Sequence, residues 1–279
     1  MSNIIDGIYG FLTAPGDLYG NRFLPFRGAL LPYLLTNIAY VLFVFKIGPW
    51  FMRNRQPYDL KPVLRYYNIG QIVYNAIVSA MSFYLYVIKR PMSITCMTIL
   101  PIDHPLKNIE GLTSALYVIN KFIDYFDTVF FVLRKSYKQI TFLHVYHHIM
   151  MTSLSLLYVK YSGGGGHASM IGILNTLVHV FMYAYYLMSA TRPEMKNSLW
   201  WKKYVTSLQL VQFVLILVHQ MWPLVIQRDC EYPKLLCLCS CVQALLMLYL
   251  FGSFYIKTYI RNPKKKSTPP VVAQEAKTR

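Results

Sequence analysis

The residues able to do chemistry lie in one stretch of the chain. His144, His147 and His148 stand at i, i+3 and i+4, a spacing that brings three imidazoles to one face of a helix. Upstream, Lys121, Asp124 and Asp127 recur at i, i+3 and i+6 with Thr128 next, so Lys121 can pair with Asp124 and Asp127 follows a turn later on the same side. Downstream come Asn175 and His179, four apart, then Met182, Tyr183, Tyr185 and Tyr186; Thr206, Gln209 and Gln212 follow at i, i+3, i+6. An imidazole serves as acid, base or nucleophile near neutral pH. A carboxylate beside it fixes its tautomer and raises its basicity.

Other chemistries fit less well. Adjacent His147 and His148 project about 100° apart on a helix and do not aim easily at one ion. A di-iron centre needs several histidine clusters, whereas His104, His167 and His219 have no histidine three or four places away. No metal is therefore expected. Lys121 and Asp124 also fit a purely structural ion pair between helices, and the glutamine stripe fits interhelical hydrogen bonding. Of the five cysteines, Cys237, Cys239 and Cys241 scatter round one helix as packing residues, while Cys96 and Cys230 fall in loops where an oxidising compartment would permit a bond.

The elements that position these groups follow from composition. The 279 residues carry 28 Lys+Arg against 11 Asp+Glu, a net charge of +17, yet 55% are hydrophobic and only 14% charged, with a mean hydropathy of +0.35. A disordered chain is excluded, and so is a free nucleic-acid-binding domain, because the basic residues gather between long apolar runs. Runs of ~20 apolar residues predict seven membrane spans, at about 28–48, 66–88, 112–133, 141–159, 168–188, 204–226 and 234–256. Spans three to five hold the ionisable residues, and intramembrane charge marks function. The loops after spans one, three and five and the C-terminus carry 18 of the 28 basic residues, which predicts a cytosolic C-terminus and an N-terminus on the opposite side. No cleavable signal peptide is apparent, so the first span would serve as the insertion signal. Residues 1–262 read as one membrane domain and 263–279, with a lysine run and two prolines, as a disordered basic tail.

Antiparallel spans four and five place His147 and His179 within one turn of the same depth at ~1.5 Å per residue. With that geometry, the sequence resembles the ELO-type very-long-chain fatty acid elongases. KFIDYFDTVFFVLRK is similar to the family's Lys-x-x-Glu-x-x-Asp-Thr segment, His144 to His148 match its histidine box, NTLVHVFMYAYY its His-x-x-Met-Tyr motif, and TSLQLVQF its glutamine motif. The resemblance spans about residues 20 to 262, and Asp124 stands where the family has Glu.

The resemblance implies an all-α polytopic membrane protein of seven helices, six enclosing an acyl-chain tunnel closed at the lumenal end. It implies an endoplasmic-reticulum 3-oxoacyl-CoA synthase that joins a long-chain acyl-CoA to malonyl-CoA and releases CoA and carbon dioxide. On a covalent, acyl-imidazole route His147 would be the nucleophile with His179 close by, His144 and His148 would orient or exchange protons, and Asp127 would support them; the alternative is a direct Claisen condensation with histidine as base. It further implies no bound cofactor, a Cys96–Cys230 disulfide on the lumenal side, and the other elongation-cycle enzymes as partners. A polytopic transporter is the competing function, although no internal repeat of the kind transporters carry is present.

Overall fold

The computed structural model describes residues 2–16, 19–192 and 199–261; the tail read as disordered lies outside them. Among the described residues the fold is all-helical, without strands. An N-terminal helix α1 (Ser2–Thr13) precedes α2 (Leu30–Met52), α3 (Lys61–Lys89), α4 (Lys107–Ile123), α5 (Tyr125–Leu133), α6 (Phe142–Ser162), α7 (Ala168–Thr191), α8 (Leu199–Val225) and α9 (Lys234–Arg261).

Among the described residues, five helices are long and apolar enough to cross a membrane: α2, α3, α7, α8 and α9. The third and fourth expected spans do not reach that threshold. The third divides at Asp124, where the backbone tightens so that Asp127 N–H reaches the Asp124 carbonyl. The freed Ile123 carbonyl accepts from the Tyr67 hydroxyl of α3 at 3.3 Å. The fourth, α6, carries the three box histidines and Lys160.

The helices are apolar outward. On α9, Leu235, Leu238, Val242, Leu245 and Tyr249 are exposed, while Cys237, Ser240, Cys241, Ala244 and Met247 are buried. Both sets follow a helical repeat, and small and polar residues on the inner face let helices approach closely in lipid. In α2 a π-turn at Phe43–Ile47 precedes Pro49, which lacks the N–H a regular turn would require there.

Six helices contact one another in a closed ring, in the order α3, α7, α8, α9, α6, α4 and back to α3. The connection from α6 to α7 is the run Gly163–Gly166, all four with φ between +63° and +111°. Other residues enter that region only with strain. A Cβ at Gly165 would also lie 2.1 Å from the Glu110 carboxylate, and one at Gly166 2.3 Å from the Tyr232 ring. The run is thus a backbone-thin turn pressed against α4 and the segment before α9.

Candidate active site

Thr141 starts α6: its hydroxyl accepts from His144 N–H at 3.2 Å, an N-cap that puts the histidine box in the first two turns. His144 Nε2 lies 2.8 Å from the Thr128 hydroxyl, which in turn meets Tyr40 Oη at 2.8 Å. His148 lies edge-on to the His144 ring with centroids 4.4 Å apart and faces Tyr40 and Tyr125. His147 turns the other way, toward Phe251 of α9.

On that side lies a buried polar cluster built from α3, α4, α5 and α7. Lys121 and Asp124, each 2% exposed, pair at 2.8 Å, and Lys121 Nζ donates equally closely to Asn175 Oδ1. Asp124 Oδ1 also accepts from Gln71 Nε2 at 3.1 Å and from Tyr183 Oη at 3.0 Å. Tyr183 Oη is 2.8 Å from Asp127 Oδ2 as well. A buried charge needs this density of partners. His179 Nδ1 stands 3.6 Å from Asp124 Oδ2, and His147 and His179 lie within electrostatic reach of each other and of Lys121. The Nδ1 atoms of both are buried without a hydrogen-bond partner. Such atoms are costly to leave idle and mark where a ligand would bond. Among the described residues no group of three His, Cys, Asp or Glu side chains is placed to hold a metal ion.

One turn beyond His147 begins an apolar cavity. All six ring helices line it, from Met151, Gln212 and Met247 down to Gly164 and Gly165 at the α6–α7 turn. Along α6 the lining from Met151 to Val159 spans about 12 Å.

The structure thus gathers Lys121, Asp124, Asp127, Asn175, His179, Tyr183 and His147 into one cluster, with His144 and His148 on its flank. Gln212 lines the cavity, and Gln209 Nε2 lies 3.9 Å from Met182 Sδ across the α7–α8 contact. Cys96 and Cys230 are joined by a disulfide at the opposite end of the bundle, beside His167 and His219. Sequence reasoning missed Gln71, Asn75 and Asn120, which hydrogen-bond in series behind Asp124. Their signal was present: Asn68, Gln71 and Asn75 recur at i, i+3 and i+7 in an otherwise apolar span, as the glutamines of α8 do.

Comparison with known proteins agrees with the motifs. The ELO family, described as the GNS1/SUR4 family, matches residues 25–267. The chain belongs to this family. It is 44% identical over 233 residues to very long chain fatty acid elongase F of Drosophila melanogaster, covering 83% of this chain and 90% of that protein. Very long chain fatty acid elongase 7 of the same fly is 36% identical over 246 residues, 86% and 72% of the two chains. Human very long chain fatty acid elongase 4 is 36% identical over 238 residues, 84% and 73%.

Proposed function

We propose that this protein is a condensing enzyme of fatty acid elongation, a 3-oxoacyl-CoA synthase that lengthens a long-chain acyl-CoA by two carbons from malonyl-CoA. The observation that carries this reading is the pair His147 and His179, whose buried Nδ1 atoms lack a hydrogen-bond partner, with an apolar cavity that begins one turn beyond His147 along α6. The cavity is the tunnel for the acyl chain. Seven spans, with α4–α5 and α6 as the third and fourth, set it in the endoplasmic-reticulum membrane with the disulfide lumenal and the C-terminus cytosolic. The basic loops at the histidine-box end then meet the CoA phosphates.

In the mechanism the His147 imidazole attacks the acyl thioester carbonyl and expels CoA thiolate, which takes the ring proton of the acyl-imidazolium. Malonyl-CoA loses carbon dioxide, and the resulting enolate attacks the acyl-imidazole to form the new carbon–carbon bond. The Lys121–Asp124 pair fixes His179 beside the reacting centre, and Asn175 anchors Lys121. No bound cofactor or metal enters these steps. The other enzymes of the elongation cycle would reduce and dehydrate the product.

Purified protein given acyl-CoA alone is expected to release free CoA in an amount matching the enzyme. Release only after malonyl-CoA is added would replace the covalent route by a direct Claisen condensation with histidine as base. A purified protein that neither consumes malonyl-CoA nor forms 3-oxoacyl-CoA would overturn the enzyme reading in favour of a transporter.

A further inference from the structure

The condensation consumes a proton. Malonyl-CoA enters as a carboxylate, carbon dioxide leaves neutral, and the negative charge passes through the enolate to the departing imidazole, which must be protonated before the next turnover. This inference rests on the proposed function, and it asks where that proton is kept.

The Tyr183 hydroxyl sits between two carboxyl groups, 3.0 Å from Asp124 Oδ1 and 2.8 Å from Asp127 Oδ2. A phenol has one O–H. It can satisfy one of these contacts, and the other needs a hydrogen from a carboxyl. Asp124 is held as a carboxylate by the Lys121 ammonium at 2.8 Å and the Gln71 amide at 3.1 Å, whereas Asp127 makes no ion pair among the described residues. The hydrogen therefore belongs to Asp127, as when two neighbouring carboxyls in a dry site share one proton.

We propose that Asp127 stores the proton of this reaction and that Tyr183, Asp124 and His179 carry it to the reacting centre. The Asp127 O–H breaks as its proton passes to the Tyr183 oxygen, and the Tyr183 proton passes to Asp124 Oδ1. Asp124, turned about its side-chain bond, protonates His179 Nδ1, which is buried without a hydrogen-bond partner 3.6 Å away. His179 gives up its Nε2 proton to the imidazole leaving the acyl group. Asp127 remains as a carboxylate and is refilled from outside, for it is half-buried where Asp124 is buried. The groups facing Asp127 are Tyr40 of α2, Tyr67 of α3, Lys121 of α4, Asp124 at the α4–α5 junction, and Tyr183 and Tyr186 of α7. Asp127 and Tyr183 act through His179 and are positioning residues.

The test separates the two half-reactions in the full-length membrane enzyme. Asp127→Asn and Tyr183→Phe are expected to release CoA from acyl-CoA alone as the wild type does. Their malonyl-CoA-dependent turnover should fall about 10²-fold with KM for acyl-CoA unchanged, and their solvent deuterium isotope effect on turnover should rise. Asp127→Glu, which keeps a proton to give, should recover most of the turnover. Parallel loss of both half-reactions, or turnover in Asp127→Asn equal to the wild type, would overturn the proposal. If the wild type itself releases no CoA without malonyl-CoA, the covalent reading fails separately. The relay's last acceptor is then the CoA thiolate leaving the acyl group, and an unchanged isotope effect in Tyr183→Phe overturns it. Should Asp127→Asn fail to fold by size-exclusion chromatography, Tyr183→Phe and Asp127→Glu decide.

Discussion

The protein holds two close pairs of histidines at opposite ends of its bundle, and ring spacing does not tell them apart. His144 and His148 lie 4.4 Å apart at one end, His167 and His219 4.5 Å apart at the other. Their partners differ. His167 Nε2 accepts from Met97 N–H at 3.1 Å, its carbonyl accepts from Gln220 Nε2 at 2.7 Å, and His219 Nε2 meets the Ile94 carbonyl at 3.0 Å. With His167 Nδ1 facing His219 Nδ1 at 3.4 Å, all four ring nitrogens are occupied, next to a disulfide. At the histidine-box end His144 Nε2 meets the Thr128 hydroxyl, but the Nδ1 atoms of its neighbour His147 and of His179 have no hydrogen-bond partner, His179 Nδ1 standing 3.6 Å from Asp124. Histidines bonded to backbone hold loops in place. Histidines whose ring nitrogens lack a hydrogen bond, close to a buried ion pair, keep those nitrogens available to a ligand.

The contrast is tested most severely by His147→Ala, which should lower product formation by at least ~10³-fold while leaving the thermal midpoint near that of the wild type. His167→Ala should do the reverse, losing about 1–3 kcal/mol of stability by stranding Met97 N–H, with turnover per folded molecule unchanged. If the two substitutions behave alike, the distinction collapses. Between them in kind is Lys121→Met, which leaves the Asp124 carboxylate buried without its cation and should cost about 3–5 kcal/mol as well as activity. Replacing both Cys96 and Cys230 by serine should lower stability by about 2–4 kcal/mol, read as a drop in thermal midpoint with turnover retained.

The smallest expected effect concerns pH. Burial, with His219 and Lys234 close by, pushes the His167 imidazole from 6.5 down to about 3. The unfolded chain therefore binds a proton that the folded one refuses, and stability falls as pH drops from about 6.5 toward 3. The thermal midpoint should fall less between pH 7 and 5 in His167→Gln than in the wild type.

Much of the site was legible because helical periodicity converts directly into a shared face. Lys121 with Asp124, Asn175 with His179, and the depth match of His147 and His179 all come from 3.6 residues per turn within one helix or two antiparallel ones. What was not legible depends on packing between elements distant in sequence. That Gln71 of α3 reaches Asp124, and that Tyr183 lies between two aspartates, requires helix rotation angles that spacing does not give. The break at Asp124 was hidden for the same reason: the sequence there reads as continuous helix, and the Tyr67 hydroxyl that accommodates the loose Ile123 carbonyl comes from α3. The Gly163–Gly166 run carried no meaning until its four positive φ angles and the Glu110 and Tyr232 side chains against it were known.

The Lys121–Asp124 pair also has a consequence for how the protein is made. Asp124 is complete only with Tyr183, 59 residues later, and Lys121 only with Asn175, 54 residues later. At about 5–20 residues per second of translation, roughly 3–12 s separate the emergence of the carboxylate from that of its last partner. In the proposed seven-span arrangement, α4 and α5 would enter lipid poorly by themselves during that interval. They would stay in the insertion channel, or against the amides of α3, until α7 arrives. On that arrangement the middle helices would enter the membrane as a set, and a defect in α7 would be felt first as failed membrane integration of the segment around Asp124, before any question of activity arises.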